Sequence, residues 1–366
     1  MDIDLHYYGT YALARSAGLS PSVARRIATA AEFVDDSTDD EVIVHPDGAR
    51  FRGESTAHHP YALAPVNDRD DQLLVWVPFH FLPGAEGDTQ SKRLMCRKNS
   101  RLAQTMVKHH LELCERMYAV ELMGITAHVY ADTFAHYGFS GLSSRVNRVK
   151  FESIQLQNGD PYASKLEQFF GKFGMQGSLL KNFRVGLMGE GAADASGALG
   201  HGSVATCPDQ PYLEWKYTYE MPNEAGTDQI VERQNANDYL EGASALHDMF
   251  RQFAAAKPEF ADPAGGVDFD AIRPAIESLI KLKGPCEDRI VAWKQAIADG
   301  KLSRKEDEPL PDYNHFEWRQ QTDALAKLDK PEDASEVPAY QFHQAAAMHR
   351  NYVLRELLPD NGILVI

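Results

Sequence analysis

The chain has 366 residues, of which 43% are hydrophobic and 25% are charged, a composition typical of globular proteins rather than disordered or fibrous ones. Its 53 acidic and 37 basic side chains give a formal net charge of -16. This charge excludes strong sequence-independent binding to duplex nucleic acid or to an anionic membrane surface. The four cysteines are far apart and form no CxxC pair, which excludes a disulfide scaffold and a thiolate zinc knuckle.

The first residues are acidic where a signal peptide is basic, and no apolar stretch approaches the ~18 residues of a membrane span. We therefore expect a cytoplasmic protein without a membrane span. A secretion route that reads no N-terminal signal stays open, and the sequence leaves the oligomeric state open as well.

Helical periodicity begins near the start of the chain. It predicts two helices between about Tyr8 and Asp36, the second ending near Val34, with a break where Ser20 is the N-cap and Pro21 the first helical residue. From about 40 to 95 the pattern changes to short apolar runs, 42–44 and 73–77, separated by Pro and Gly. This pattern predicts a small irregular or β insertion.

The longest helical stretch is predicted from about Asn99 to Tyr137, with Gly138 as its stop. Further helices are predicted at about 161–173, 236–256, 269–282, 287–299, 317–328 and 338–358. We therefore predict a mainly α fold, a multi-helix metal-binding bundle. Residues 1–256 would form a catalytic domain, and 257–366 a helical part packed on it, either separate or within the same domain.

The most informative segment lies in the long helix, where His128, Asp132 and His136 follow one another at intervals of four residues. At this spacing the three side chains lie on one helix face. Two imidazoles and a carboxylate can converge on a divalent metal such as Zn, Mn or Fe. The surrounding residues are apolar, which favours burial over a solvated surface stripe. Gly124, on the same stripe, allows a close approach by another backbone or a ligand.

A second set of donors comes from the N-terminal helical hairpin. His6 opens the first helix, and Asp35 and Asp36 close the second, so the hairpin can bring them together. Two carboxylates at a helix C-terminus oppose the helix dipole and favour a nearby cation. The alternative is an exposed histidine and a hydrated acidic turn.

Other candidate ligands are His58 and, in the segment PFHFLPG, His80; His201, between two glycines, and Asp209 are candidates of second rank. Each histidine could equally be a packed core residue. By contrast, His109 and His110 are helix neighbours that should diverge, and His343 and His349 should point to different faces.

The chain resembles an uncharacterised bacterial protein family with the motifs HYYGTYxLAxxAG, PFHFLPG, AHxYADTxAHxGF and GHGxVATxPDxPYxxW. They correspond here to His6–Gly18, Pro78–Gly84, Ala127–Phe139 and Gly200–Trp215. More distantly, the N-terminal His, the downstream Asp and the helical His-x3-Asp with a further His resemble helical zinc-dependent phospholipases C and single-strand-specific zinc nucleases. This resemblance implies metal ligands at His6, Asp35 or Asp36, His128, Asp132 and His136, and phosphodiester hydrolysis.

The first hypothesis is therefore a metal-dependent hydrolase, acting on a phosphoester or another small molecule through two or more divalent ions, with Zn favoured over Mn or Fe. Asp35, Asp36 and Asp132 are the predicted catalytic carboxylates. The alternatives are a di-iron oxygenase-type enzyme and a non-catalytic protein, an interaction partner or secreted effector, whose helices a metal holds together. The predicted metal ligands are His6, Asp35, Asp36, His58, His80, His128, Asp132, His136 and His201.

Overall fold

A computed structural model describes residues 1–38, 40–57, 69–156, 199–303 and 309–364. It confirms the mainly α architecture with small β elements. The main helices are α1 (Thr10–Ser16), α2 (Pro21–Asp36), α3 (Arg101–Glu112), α4 (Ala119–Ala135), α5 (Asn235–Ala256), α6 (Phe269–Ile280), α7 (Cys286–Ala298), α8 (His315–Ala324) and α9 (Pro338–Tyr352). The helix predicted at about 161–173 and the candidate ligand His58 lie outside the described residues.

The N-terminal hairpin forms as predicted, with three local differences. The turn before α1, Asp4–Gly9, is a π-helix rather than an α-helix. Ser20 has an extended backbone and Pro21 opens α2, although the Ser20 side chain makes no capping hydrogen bond. Helix α2 continues two residues beyond the predicted end, so Asp35 and Asp36 lie in its last turn.

The single long helix predicted from Asn99 to Tyr137 is wrong. The chain forms two helices, α3 and α4, with a turn between them in which Leu113 N–H bonds to His110 O and Arg116 N–H to Leu113 O. A continuous helix of that length would extend roughly 58 Å, longer than a compact domain. The turn lets the two helices pack against each other, and no Gly or Pro marks it in the sequence.

The β insertion is smaller than the apolar runs predict. β1 (Val42–Val44) and β2 (Arg50–Arg52) form an antiparallel ribbon in which Ile43 pairs with Phe51. The second apolar run is not a strand but part of a π-helix, Gln72–His80, which packs on α4 and α9. A short run that is apolar on all sides fits a buried helix as well as a strand, and tertiary packing decided between them.

One hydrophobic core contains residues from both the N-terminal and the C-terminal parts of the chain. Helices α1, α2, α4 and α5 contribute most of it, and Trp293 of α7, Trp318 of α8 and Phe342 of α9 are buried in the same cluster. A second cluster surrounds a three-stranded antiparallel sheet, β3 (Gln155–Leu156), β4 (Glu214–Thr218) and β5 (Ile230–Gln234), in the order β3-β4-β5.

Gly124 lies where α2 and α4 cross, as the sequence predicts for a close backbone approach. A Cβ atom there would lie 2.4 Å from Ala30 Cβ and 2.5 Å from Ile27 O. We expect Gly124→Ala to lower the free energy of unfolding by about 3 kcal/mol, because the helices must separate. Chemical denaturation measures this change. Gly242→Ala in α5 is the control: its nearest atoms, in Phe134, lie at 3.1 Å, so we expect a change within about 1 kcal/mol.

None of the helices in the described ranges is long and apolar enough to cross a membrane. All four cysteines are free, Cys96 and Cys207 being buried.

Candidate metal centre

The predicted stripe on α4 is buried in the middle of the fold. His128 and Asp132 are 0% and 1% exposed, and His136 follows the last turn of the helix. Asp132 Oδ2 lies 3.3 Å from His128 Nε2 and 3.4 Å from His136 Nδ1. The carboxylate of Asp132 is therefore shared between the two imidazoles.

The N-terminal hairpin brings His6 and Asp35 to this stripe. The His6 ring stacks on the His128 ring with centroids 3.9 Å apart, and His6 Nε2 lies 3.2 Å from Asp132 Oδ1. Asp35 Oδ1 lies 3.9 Å from His128 Nε2. The π-helical turn that carries His6 belongs to a class of distortion that recurs at functional sites.

His80 enters the site from the end of the π-helix Gln72–His80. Its Nδ1 lies 3.6 Å from Asp35 Oδ1, 3.7 Å from Asp132 Oδ2 and 3.3 Å from His128 Nε2. His80 thus completes a set of donors, which we call the inner group: His6, Asp35, His80 and His128.

His201 and Asp209 form the other side of the site together with His136. Asp209 Oδ1 lies 3.1 Å from His136 Nε2, and Asp209 Oδ2 lies 3.6 Å from His201 Nε2. We call His136, His201 and Asp209 the outer group. Gly200 is required beside His201, because a Cβ atom there would lie 2.5 Å from the Phe81 ring.

The turn that carries Asp209, Cys207–Asp209, is fixed by the start of α5. Asn235 Nδ2 donates to Cys207 O at 2.7 Å and to Gln210 O at 2.8 Å. The Tyr239 hydroxyl donates to Pro208 O at 2.8 Å. These contacts hold the Asp209 backbone against the end of α4.

Four histidines of the site each donate a ring N–H to a backbone carbonyl. The contacts are His128 Nδ1 to Ala31 O (2.8 Å), His136 Nδ1 to His80 O (2.8 Å), His201 Nδ1 to Ala205 O (2.7 Å) and His80 Nε2 to Thr56 O (2.9 Å). A carbonyl only accepts, so in a neutral ring the other nitrogen keeps its lone pair. In all four rings that nitrogen faces a carboxylate oxygen of the site. Metal-binding histidines have this arrangement.

A nitrogen lone pair and a carboxylate oxygen repel each other unless a proton or a metal ion lies between them. Burial, and then His128, lower the pKa of His6 to about 3. Burial also lowers the pKa of His201. Burial opposes charge on His80, yet Asp132 and Asp35 together hold its pKa above the ordinary value. A metal ion at His80 must therefore displace a proton.

The carboxylates are ionised at neutral pH despite their burial. Burial alone would raise the pKa of Asp132, but His136, the Met1 amino group and His128 hold it well below the ordinary value. The pKa of Asp209 is lowered in the same way, chiefly by His201 and the Met1 amino group against the effect of burial. The Met1 nitrogen lies 2.9 Å from Asp132 Oδ1 and 3.5 Å from Asp209 Oδ1.

Some buried polar atoms of the site have no hydrogen-bond partner within the described chain. They are both ring nitrogens of His6 and Oδ2 of Asp132. Leaving such atoms unpaired costs about 1–3 kcal/mol each. Donor atoms approach one another within 4.8 Å in three sets: His6, Asp35 and His128; His80, His128 and Asp132; and the outer group. The residues present therefore fit divalent metal ions.

A cavity of about 220 Å³ opens onto both groups. Asp35 is the most accessible of the carboxylates that face it, with 39% of its side chain exposed. Trp76 and Phe81 form an apolar wall. Among the described residues that line the cavity there is no Lys or Arg.

The structure does not bring Asp36 into the site. Its Oδ2 accepts a hydrogen bond from the Tyr313 hydroxyl at 2.8 Å, and its carbonyl accepts one from Arg319. Consecutive residues of α2 point about 100° apart, so Asp35 faces the cavity while Asp36 faces α8.

The C-terminal helices hold segments that carry or adjoin the ligands. Arg289 of α7 contacts Asp2 and Asp4, at 2.8 and 2.7 Å, in the segment before His6. This ion pair accounts for a further cluster of Asp2, Asp4 and Cys286. Tyr313 holds Asp36 beside Asp35.

Sequence reasoning ranked Asp209 too low and did not consider Asp2 and the Met1 amino group, which also line the cavity. Asp209 lies in the same family motif as His201, in the segment PDxPY, and this proximity could have raised its rank. Asp2 could have been suggested by its position four residues before His6, one turn along a helical segment.

Comparison with known proteins identifies the family but no activity. A model of a protein family of unknown function, DUF6765, matches residues 1–357. The chain belongs to DUF6765. The motifs that carry the inner and outer groups therefore lie within the region that defines DUF6765. No curated protein and no solved structure matches the chain.

Proposed function

We propose that this protein is a metal-dependent hydrolase that acts on a phosphoester with two or more divalent ions in the inner and outer groups. The observation that carries the proposal is the orientation of four imidazoles, each donating one N–H to a backbone carbonyl and directing the other nitrogen at a carboxylate. Hydrogen bonds of this kind fix which nitrogen of each imidazole is free to bind a metal before the metal binds.

Asp132 contacts imidazoles with both of its oxygens. Oδ1 faces Nε2 of His6, and Oδ2 faces Nδ1 of His80 and Nε2 of His128. Both oxygens would therefore be available to hold ions in the inner group, whereas Asp209 would serve the outer group. The abundance of imidazoles favours zinc over magnesium, which prefers oxygen ligands.

Divalent ions at such ligands polarise a phosphoryl oxygen and lower the pKa of a bound water towards ~7. Asp35 is placed to accept the proton of that water, because it is ionised and open to the cavity. Trp76 and Phe81 exclude solvent on one side. The described lining has no Lys or Arg, so bound metal ions, beside the Met1 amino group, would neutralise most of the charge of a phosphate.

The test is metal analysis of the purified protein by plasma mass spectrometry, followed by hydrolysis assays. We expect two or more equivalents of zinc or manganese. We also expect metal-dependent hydrolysis of bis(p-nitrophenyl) phosphate or p-nitrophenyl phosphate, but not of p-nitrophenyl acetate. Iron with visible absorption and no hydrolysis would support an oxygenase instead. Protein without metal after supplementation would overturn the proposal.

Asp35 and Asp36 provide a matched pair of variants. We expect Asp35→Asn to lower kcat by about 100-fold, because the proton acceptor is lost, and to weaken binding of the inner ion. Asp36→Asn keeps an oxygen that can accept from Tyr313. Its kcat and metal content should therefore stay near those of the wild type. Equal losses in the two variants would exclude a specific role for Asp35.

A further inference from the structure

Three histidines outside the metal centre form a hydrogen-bonded chain. His109 Nδ1 lies 3.0 Å from His110 Nδ1, and His110 Nε2 lies 2.9 Å from His349 Nδ1. His349 Nε2 in turn lies 2.9 Å from Pro78 O. His110 and His349 are fully buried. The prediction that His109 and His110 diverge is therefore wrong, because their rings meet edge to face on α3.

The hydrogen bonds that link the three histidines can run in only one direction. Pro78 O accepts, so His349 Nε2 carries the hydrogen, and His349 Nδ1 accepts from His110 Nε2. His110 Nδ1 then accepts from His109 Nδ1. Burial keeps His110 and His349 neutral, lowering the pKa of His349 to about 4 and that of His110 well below its usual range. Each ring therefore uses one donor and one acceptor, and the tautomers are fixed.

The last acceptor in this chain is a carbonyl that the local backbone cannot satisfy. Pro78 lies in the last turn of the π-helix Gln72–His80. In a π-helix its carbonyl would accept from the N–H of residue 83, but that residue is Pro83, which has no N–H. The donor that reaches it is His349. Phe79 also packs on the His349 ring, with centroids 5.0 Å apart.

We propose that His349 is a positioning residue, which, oriented by His110, fixes the end of the π-helix and thereby aims His80 Nδ1 at the metal centre. The inference rests on the proposed function insofar as His80 is a metal ligand. Pro78 lies two residues before His80, so a shift of its carbonyl moves the backbone that carries the imidazole. The Nε2 atom of His80 donates to Thr56 O at 2.9 Å. His349 therefore acts on His80 through the backbone of the π-helix and not through the imidazole itself.

The experiment compares His349→Leu with His349→Gln. Leucine fills the space but has no donor, whereas the glutamine amide can donate to Pro78 O and accept from His110. We expect His349→Leu to weaken zinc binding about tenfold, the lower end of the effect of groups that hydrogen-bond a metal ligand directly, as measured in competition with a chromophoric chelator. His349→Gln should restore most of the affinity. His110→Leu should have a smaller effect in the same direction, because His349 keeps its donor but loses its fixed tautomer.

A second measurement does not depend on metal. The Phe81 N–H donates to Trp76 O at 2.8 Å, and its hydrogen exchange, measured on metal-free protein, reports on this helix end. We expect exchange to become about tenfold faster in His349→Leu and to stay slow in His349→Gln. The control is His247→Leu, which removes another buried histidine that donates to a carbonyl, Val267 O, away from the centre. His247→Leu should change neither the zinc affinity nor the exchange rate of the Phe81 N–H.

Equal zinc affinity and exchange in His349→Leu and the wild type would overturn the inference. Equal losses in the Leu and Gln variants would also overturn it, since they would reveal a packing role rather than a hydrogen bond. If the wild type itself binds no zinc, the proposed function fails, and the exchange rates still decide whether His349 fixes the helix end.

Discussion

Asp132→Asn should reduce the metal content from two or more ions to at most one and lower phosphoester hydrolysis at least about 1000-fold. Asp132 directs Oδ1 at His6 and Oδ2 at His80 and His128, so both oxygens would hold ions in the inner group. The amide nitrogen of asparagine cannot bind a metal ion, so one of the two oxygen donors is lost. A loss of about 4 kcal/mol of transition-state stabilisation corresponds to this factor.

The measurement is plasma mass spectrometry together with the hydrolysis rate at saturating substrate. Asp262→Asn is the matched control, because Asp262 is also buried and lies 3.2 Å from its ion-pair partner Arg15, away from the metal centre. We expect this control to lose stability but to keep its metal. If Asp132→Asn kept the full metal complement, Asp132 would not be a metal ligand.

Removing the metal should lower the melting temperature of the protein by about 10 °C. The carboxylates of Asp35, Asp132 and Asp209 converge on a site whose described lining has no Lys or Arg. When the free concentration of an ion is a thousand times its dissociation constant, its binding adds about 4 kcal/mol to the free energy of unfolding. For a chain of this size, two ions correspond to about 10 °C.

Differential scanning calorimetry of metal-loaded protein, with and without a strong chelator, measures this shift. The Asp132→Asn variant provides the internal control, since a protein that has lost most of its metal should respond much less to the chelator. An unchanged melting temperature in the wild type would indicate that the cluster holds protons rather than metal ions.

Much of the candidate site could be predicted from local sequence. The spacing of His128, Asp132 and His136 sets them on one helix face whatever the rest of the fold does, because helical geometry depends only on neighbouring residues. The structure brings these three together with His6, Asp35, His80 and His201. Gly124 likewise lies at the predicted close contact, because a missing Cβ is a local property.

Other features could not be predicted from local patterns. The break between α3 and α4 carries no Gly or Pro, and it forms because the two helices pack on each other. The run at 73–77 fits a strand by composition, yet its burial against α4 and α9 makes it helical. Helical geometry points Asp35 and Asp36 in different directions, but which of them faces the metal centre depends on how α2 packs on α4.

The helical class, the negative net charge and the set of imidazoles and carboxylates available to bind a metal follow from composition and short-range periodicity. Which of these side chains meet depends on the packing of distant segments. Asp209 joins His136 because Asn235 and Tyr239 hold its turn, and His349 reaches Pro78 across 271 residues. Such pairings depend on how distant helices share one core, and no local pattern records that packing.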